Sequence, residues 1–166
     1  MLLRMKETEE IKESKETKER HLLLSLANAD KLMRDSGKWN DAIDRRNTAQ
    51  LKKIIQTIGW PTRSKVGSDA SSAAWLLAQH ADHDVGFQEH CLNLMKQESK
   101  EEIDQVNIAY LEDRVLLNRG KKQIHGTQFQ KIDGKLVLRP IQDIFTANEK
   151  REAMGMEPLK EDQIDI

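Results

Sequence analysis

Between residues 51 and 118, large apolar side chains return at helical spacing, and each run ends at a glycine or among acidic residues. Leu51, Ile54, Ile55 and Ile58 fall on one face of a helix, and Gly59 then Pro61 stop it. Phe87, Cys91, Leu94 and Met95 repeat the pattern, and a further run from about Asp104 to Asn118 stops before Gly120. Such periodicity commits the middle of the chain to short amphipathic helices packed on a shared interior. Asp44 or Asn47 is positioned to cap the first of them, and Ser68 or Asp69 to cap a helix carrying Ala73, Ala74, Trp75, Leu76, Leu77 and His80. Gly59 to Gly67 reads as the loop between these two helices. Upstream, a helix is expected from about residue 19 to 35, ending before Ser36-Gly37.

The pattern changes after Gly120. Thr127–Ile132 and Lys135–Arg139 are β-prone runs flanking Asp133-Gly134, a strong hairpin signal, and Pro140 closes the second strand. A short helix from about Asp143 to Met154 follows. The expected fold is therefore mainly α: a compact helical domain of about five to six helices with one small C-terminal β-hairpin. A chain of 166 residues is long enough to close one such core, assigned to residues 21–166. Residues 1–20 form a charged N-terminal extension, in which Ile11 is the only large apolar side chain between residues 6 and 20; it is read as a solvated helix or disordered.

Charge narrows the partners. The chain has 27 basic against 28 acidic residues, so no excess of positive charge steers it to nucleic acid or an anionic membrane surface. No apolar run is long enough to span a bilayer, and the start is charged too early for a signal peptide. The one cysteine, Cys91, excludes an internal disulfide and reads as a small buried hydrophobe. A cytoplasmic protein is expected, and the sequence leaves any cofactor unknown.

The strongest candidate for chemistry is Gln79-His80-Ala81-Asp82-His83-Asp84, two imidazoles and two carboxylates directly after an apolar run. Ionisable groups at such a boundary have readily shifted pKa values. On a helix, His80 shares a face with His83 and with Asp84, a weak set of metal-ligand candidates that lacks a fixed third ligand. His80 is also suited to proton transfer. Asp113 interrupts the apolar positions Val106, Tyr110 and Leu117 and needs a partner, for which His80, Arg114 or a ligand would serve. The bland alternatives are a core histidine at 80 and helix caps at Asp82 and Asp84.

Three other features add to this. Arg114, four residues from Tyr110, offers a bidentate fork to a carboxylate or phosphate, or a salt bridge to a nearby acid such as Glu102. Gly126-Thr127-Gln128 offers close backbone approach and neutral hydrogen-bonding groups, or simply a tight turn into a strand. Trp60 reads as a core plug, and Ser64 is a weak nucleophile candidate. The adjacency of His and Asp is similar to that in His-Asp phosphohydrolases. The sole upstream histidine is His21, however, and the spacing departs from that pattern.

Five ordered motifs carry a closer resemblance: Gly59-Trp60-Pro61, Ser64-Lys65-Val66-Gly67, Gln79-His80-Ala81-Asp82, Tyr110-Leu111-Glu112-Asp113-Arg114 and Gln123-Ile124-His125-Gly126-Thr127-Gln128. Over about residues 28–160 the chain resembles a bacterial family of unknown function. That family carries Asp-Gln where this chain has Asp30-Lys31, and Tyr where it has His125. The resemblance implies that His80, Asp113, Arg114, Thr127 and Gln128 act together, and it implies no reaction. Two expectations follow. In one, a small polar or anionic ligand binds at a site centred on His80, with water as the nucleophile if the site is hydrolytic. His80 and Asp113 are then catalytic, Asp113 orienting His80, while Arg114, Thr127, Gln128 and Tyr110 bind the ligand. In the other, His80, Asp113, Arg114 and Gln128 form a structural network in a non-catalytic module that binds a protein partner.

Overall fold

A computed structural model describes residues 2–160, with side chains from residue 18 onward. The side chains of most of the charged extension and residues 161–166 lie outside the described residues. The helices, in chain order, are α1 (Leu2–Asp35), α2 (Asp41–Ile58), α3 (Arg63–Val66), α4 (Ser68–Gln79), α5 (Val85–Gln97), α6 (Gln105–Asn118) and α7 (Ile144–Ala153); β1 (Phe129–Ile132) and β2 (Lys135–Leu138) form the hairpin between α6 and α7. The architecture is mainly α, as expected. The helix expected from about residue 19 begins at Leu2 instead, and one turn, α3, stands inside the segment read as a loop. A single turn contains too few residues to show a periodicity.

Capping groups fix the helix starts, with two differences from expectation. Asn40 caps α2 by accepting the Ala42 N–H, which leaves Asp44 free for another task. Gly67, which has no side chain to cap with, occupies the start of α4, and Asp69 inside the first turn is held in a two-pronged pair with Arg20 of α1. Asp84, Asp104 and Asp143 cap α5, α6 and α7.

The interior is organised around α4. Its short side chains Ala70, Ala74 and Ala78 are fully buried and let neighbouring backbones approach. It contacts α1, α2, α3, α5 and α6. Leu23 and Leu26 from α1, Leu51 and Ile54 from α2, Met95 from α5 and Leu111 from α6 close the core around it, with Trp60 plugging the bend after α2. Cys91 is buried, and burial pushes its thiol far above the ordinary range, so it packs rather than reacts.

The hairpin pairs Phe129 with Leu138 and Ile132 with Lys135. Asp133 (φ 49°) and Gly134 (φ 83°) both take positive φ, as a two-residue hairpin turn of the right twist requires. Gln123, fully buried, ties its base together. Its amide donates to the Gln128 and Arg139 carbonyls, and its side-chain oxygen accepts the Gln128 N–H. No helix in the structure is long and apolar enough to cross a membrane, among the described residues.

Candidate functional site

Asp30 lies on the face of α1 that carries Leu23, Leu26 and Met33, at a position where an apolar residue belongs, and it is 1% exposed. A carboxylate there is tolerable only with partners. It finds two. His80, at the C-terminal cap of α4, places Nδ1 3.0 Å from both Asp30 oxygens. Arg34, one turn on along α1, donates Nε–H to the same carboxylate at 3.2 and 3.3 Å. Arg34 also reaches Asp44 of α2 at 3.1 Å and stacks 4.7 Å from the centre of the Trp39 ring.

These neighbours set the charges. Burial pushes the Asp30 carboxyl upward, but the hydrogen bonds and charges of His80 and Arg34 outweigh it and hold Asp30 below the usual carboxylate range. For Asp44, burial wins over Arg34, and its carboxyl is raised. An ionised Asp30 only accepts hydrogen bonds, so the chemistry assigns the Nδ1–H tautomer to His80. Arg34 Nε also lies 3.1 Å from Nδ1, and its proton goes to Asp30 in that tautomer. Nε2 then carries the free lone pair, and no described residue hydrogen-bonds to it. The ring is partly exposed and lines a hollow of about 140 Å³ together with Trp39, Asp41, Asp44, Arg45, Asp82 and His83.

A second polar cluster lies on the other side of Asp82. Asp113, 0% exposed, accepts the backbone N–H groups of Ile124, His125 and Thr127 and the Thr127 hydroxyl, at 2.8–3.0 Å. Arg114 grips Asp82 with Nε and Nη2 and donates Nη1–H to the Gln128 side-chain oxygen at 3.2 Å. Asn118 and the buried Gln88 also donate to Asp82. Burial pushes Asp82 up, yet Arg114, Asn118 and Gln88 together hold it down. The Gln128 amide donates to Thr127 Oγ1 and to the Tyr110 carbonyl, and the Tyr110 ring meets Trp75 edge-on at 6.0 Å. His125, in turn, donates Nε2–H to the Glu112 carboxylate at 2.9 Å, and Lys96 pairs with the other Glu112 oxygen.

The sequence-based partnership of His80 with Asp113 is corrected by this geometry. His80 is oriented by Asp30, and Asp113 is fully occupied by the backbone leading into β1. Arg114 is not an open fork, because Asp82 and Gln128 occupy it. Thr127, Gln128 and the Tyr110 carbonyl bond chiefly to one another and to Asp113. Asp84 caps α5 through the Phe87 N–H and pairs with Lys52 at 2.6 Å, so it does not join His80 and His83. Among the described residues no group of three or more His, Cys, Asp or Glu side chains is arranged to hold a metal ion.

Sequence reasoning overlooked Asp30, Arg34, Trp39 and Arg45. The signal for the first two was present: Asp30 takes a place in the 23, 26, 30, 33 stripe of α1, with Arg34 four residues on at ion-pairing distance. The model of a family of unknown function, DUF6624, matches residues 23–165. The chain belongs to that family. The match begins at Leu23 in α1 and takes in every member of both polar clusters, so this DUF6624 domain includes the hollow, the Asp82 clamp and the hairpin base together. No curated protein and no solved structure matches the chain.

Proposed function

We propose that the hollow beside His80 binds a small polar ligand and that His80 acts there as a general base on water, with Asp30 as its orienting partner. One arrangement carries this reading: a buried, ionised carboxylate fixes Nδ1–H, while the unpartnered Nε2 belongs to a ring that lines a hollow. In a hydrolytic step the water oxygen would bond to an electrophilic carbon or phosphorus. Its proton would pass to Nε2, and the leaving group would take that proton as its bond breaks. Asp30 stabilises the imidazolium formed in between, and Arg34 keeps Asp30 ionised. Asp113, Arg114, Thr127 and Gln128 support a different role. Their hydrogen bonds are satisfied internally, which favours the structural half of the expectation for those four: they brace Asp82, one wall of the hollow, against the hairpin base.

The test is a turnover screen with chromogenic carboxylic and phosphoric esters on the purified chain, alongside His80→Gln and Asp30→Asn. Loss of a general base should lower turnover about 10²–10⁴-fold in His80→Gln while circular dichroism stays unchanged. A folded His80→Gln protein turning over as fast as the parent would overturn the catalytic role. A parent with no turnover on any ester would leave the hollow without hydrolytic chemistry.

A further inference from the structure

We propose that Arg45 is the ligand-holding cation of the His80 hollow, and that the ligand therefore carries a small oxyanion, a carboxylate or a phosphate. This rests on the reading of the hollow as a binding site and adds the class of molecule it takes. Around the wall of the hollow, hydrogen-bonding capacity is unevenly used. Asp44 is matched by Arg34 at 3.1 Å. Asp82 is matched by both arms of Arg114 and by Asn118. Asp41, at the first turn of α2, accepts the Trp39 indole N–H. The three carboxylates that line the hollow are thus each engaged by a donor of the protein itself.

The nitrogen groups are not. Arg45, one turn after Asp41 on α2, is exposed and has neither an ion pair nor a hydrogen bond to any described residue. His83 is exposed and makes no hydrogen bond or ion pair with a described residue, though it lies near enough to Asp44 and Asp84 to favour their ionised forms. His80 keeps Nε2 open. The donors left open around the hollow therefore belong to Arg45 and His83, and an acceptor-rich guest satisfies them, while the lone pair at His80 Nε2 takes a proton donor such as water or a protonated oxygen of the guest; an ammonium would meet carboxylates that each already hold a donor. Arg114, the guanidinium that sequence reasoning nominated for this task, is spent on Asp82. Arg45 supplies the planar fork that holds an oxyanion in two parallel N–H···O bonds, against the side of the hollow that carries His80.

Titration with inorganic phosphate at constant ionic strength, followed by calorimetry and by the imidazole NMR signals of His80 and His83, tests this. Phosphate should move both imidazole signals. Arg45→Gln should weaken phosphate binding about tenfold or more. Arg46→Gln, a neighbouring exposed arginine that does not line the hollow, should bind as the parent does. Unchanged phosphate affinity in Arg45→Gln would overturn the proposal. So would imidazole signals that ignore phosphate, or that respond to methylammonium instead. The two readings fail separately. If phosphate binds through Arg45 but no ester is turned over, the oxyanion site stands and the catalytic role falls. If turnover needs His80 while Arg45→Gln leaves the KM of charged and neutral esters alike, the catalytic role stands and the oxyanion site falls.

Discussion

Two buried aspartates show how much a carboxylate's neighbours decide. Asp113 spends both oxygens on four donors around the turn into β1, three of them backbone N–H groups that have no other partner in a tight turn. Asparagine at 113 would keep the shape but aim an N–H₂ at donors. Asp113→Asn should therefore cost about 2–3 kcal/mol in urea unfolding. A change below the error of that measurement would show that the turn holds without the carboxylate. Asp30 spends its oxygens on side chains instead, His80 and Arg34, which leaves an imidazole edge available. Asp113 was legible in the sequence because it breaks an apolar stripe. Its partner was not, because a stripe shows that a charge is buried and says nothing of which distant segment reaches it. Glu112 makes a further prediction. The His125 hydrogen bond, aided by Lys96, outweighs burial and holds its carboxyl down to about 2. A folded-state pKa below the unfolded value of about 4.3 gives stability that is complete above that value and lost as pH falls from about 4 toward 2. Glu112→Gln should lack this acid-dependent loss, on the order of 2 kcal/mol, in unfolding measured between neutral pH and pH 2. A variant that tracks the parent through that range would refute the assignment.

At the scale of elements, helix faces were legible and helix ends only partly so. Periodicity located α2, α5 and α6 because each buries a stripe, and Asp133-Gly134 located the hairpin because few other pairs accept two positive φ values. Asn40 took the capping place expected of Asp44 because the helix starts one turn earlier, and Asp44 was drawn to Arg34, a contact that exists only once α1 and α2 pack. Gly126 makes the segment before β1 specific to glycine. Its φ is 69°, and a Cβ there would stand 2.7 Å from Leu159 Cδ1 and 3.3 Å from Ile141 Cδ1. The contact with the end of Leu159 can relax in part, while the backbone conformation cannot. Gly126→Ala should lower stability by about 1–3 kcal/mol, seen as a lower Tm. In a double variant with Leu159→Ala the two losses should sum to more than the measured loss, because the smaller side chain removes the clash. Strict additivity would place the whole effect in the backbone.

For the molecule as a whole, α4 is the shared neighbour of five other helices, so its hydrogen bonds open only when the core opens. Amide exchange should accordingly be slowest in Ala70–Ala78, at the free energy of global unfolding, and fastest at Asp133-Gly134, where both residues are exposed. Exchange from α4 ahead of the hairpin tip would contradict this placement of the core. The clusters were separable only in three dimensions: His80 and Asp82 are two residues apart, yet one turns to α1 and the other to α6. Asp82 consequently belongs to two neighbourhoods at once, as a wall of the hollow and as the post to which Arg114, and through it Gln128, is moored. A guest that drew Asp82 away from Arg114 would slacken that mooring, so amide protection around Thr127 and Gln128 is a remote gauge of whether the hollow is filled.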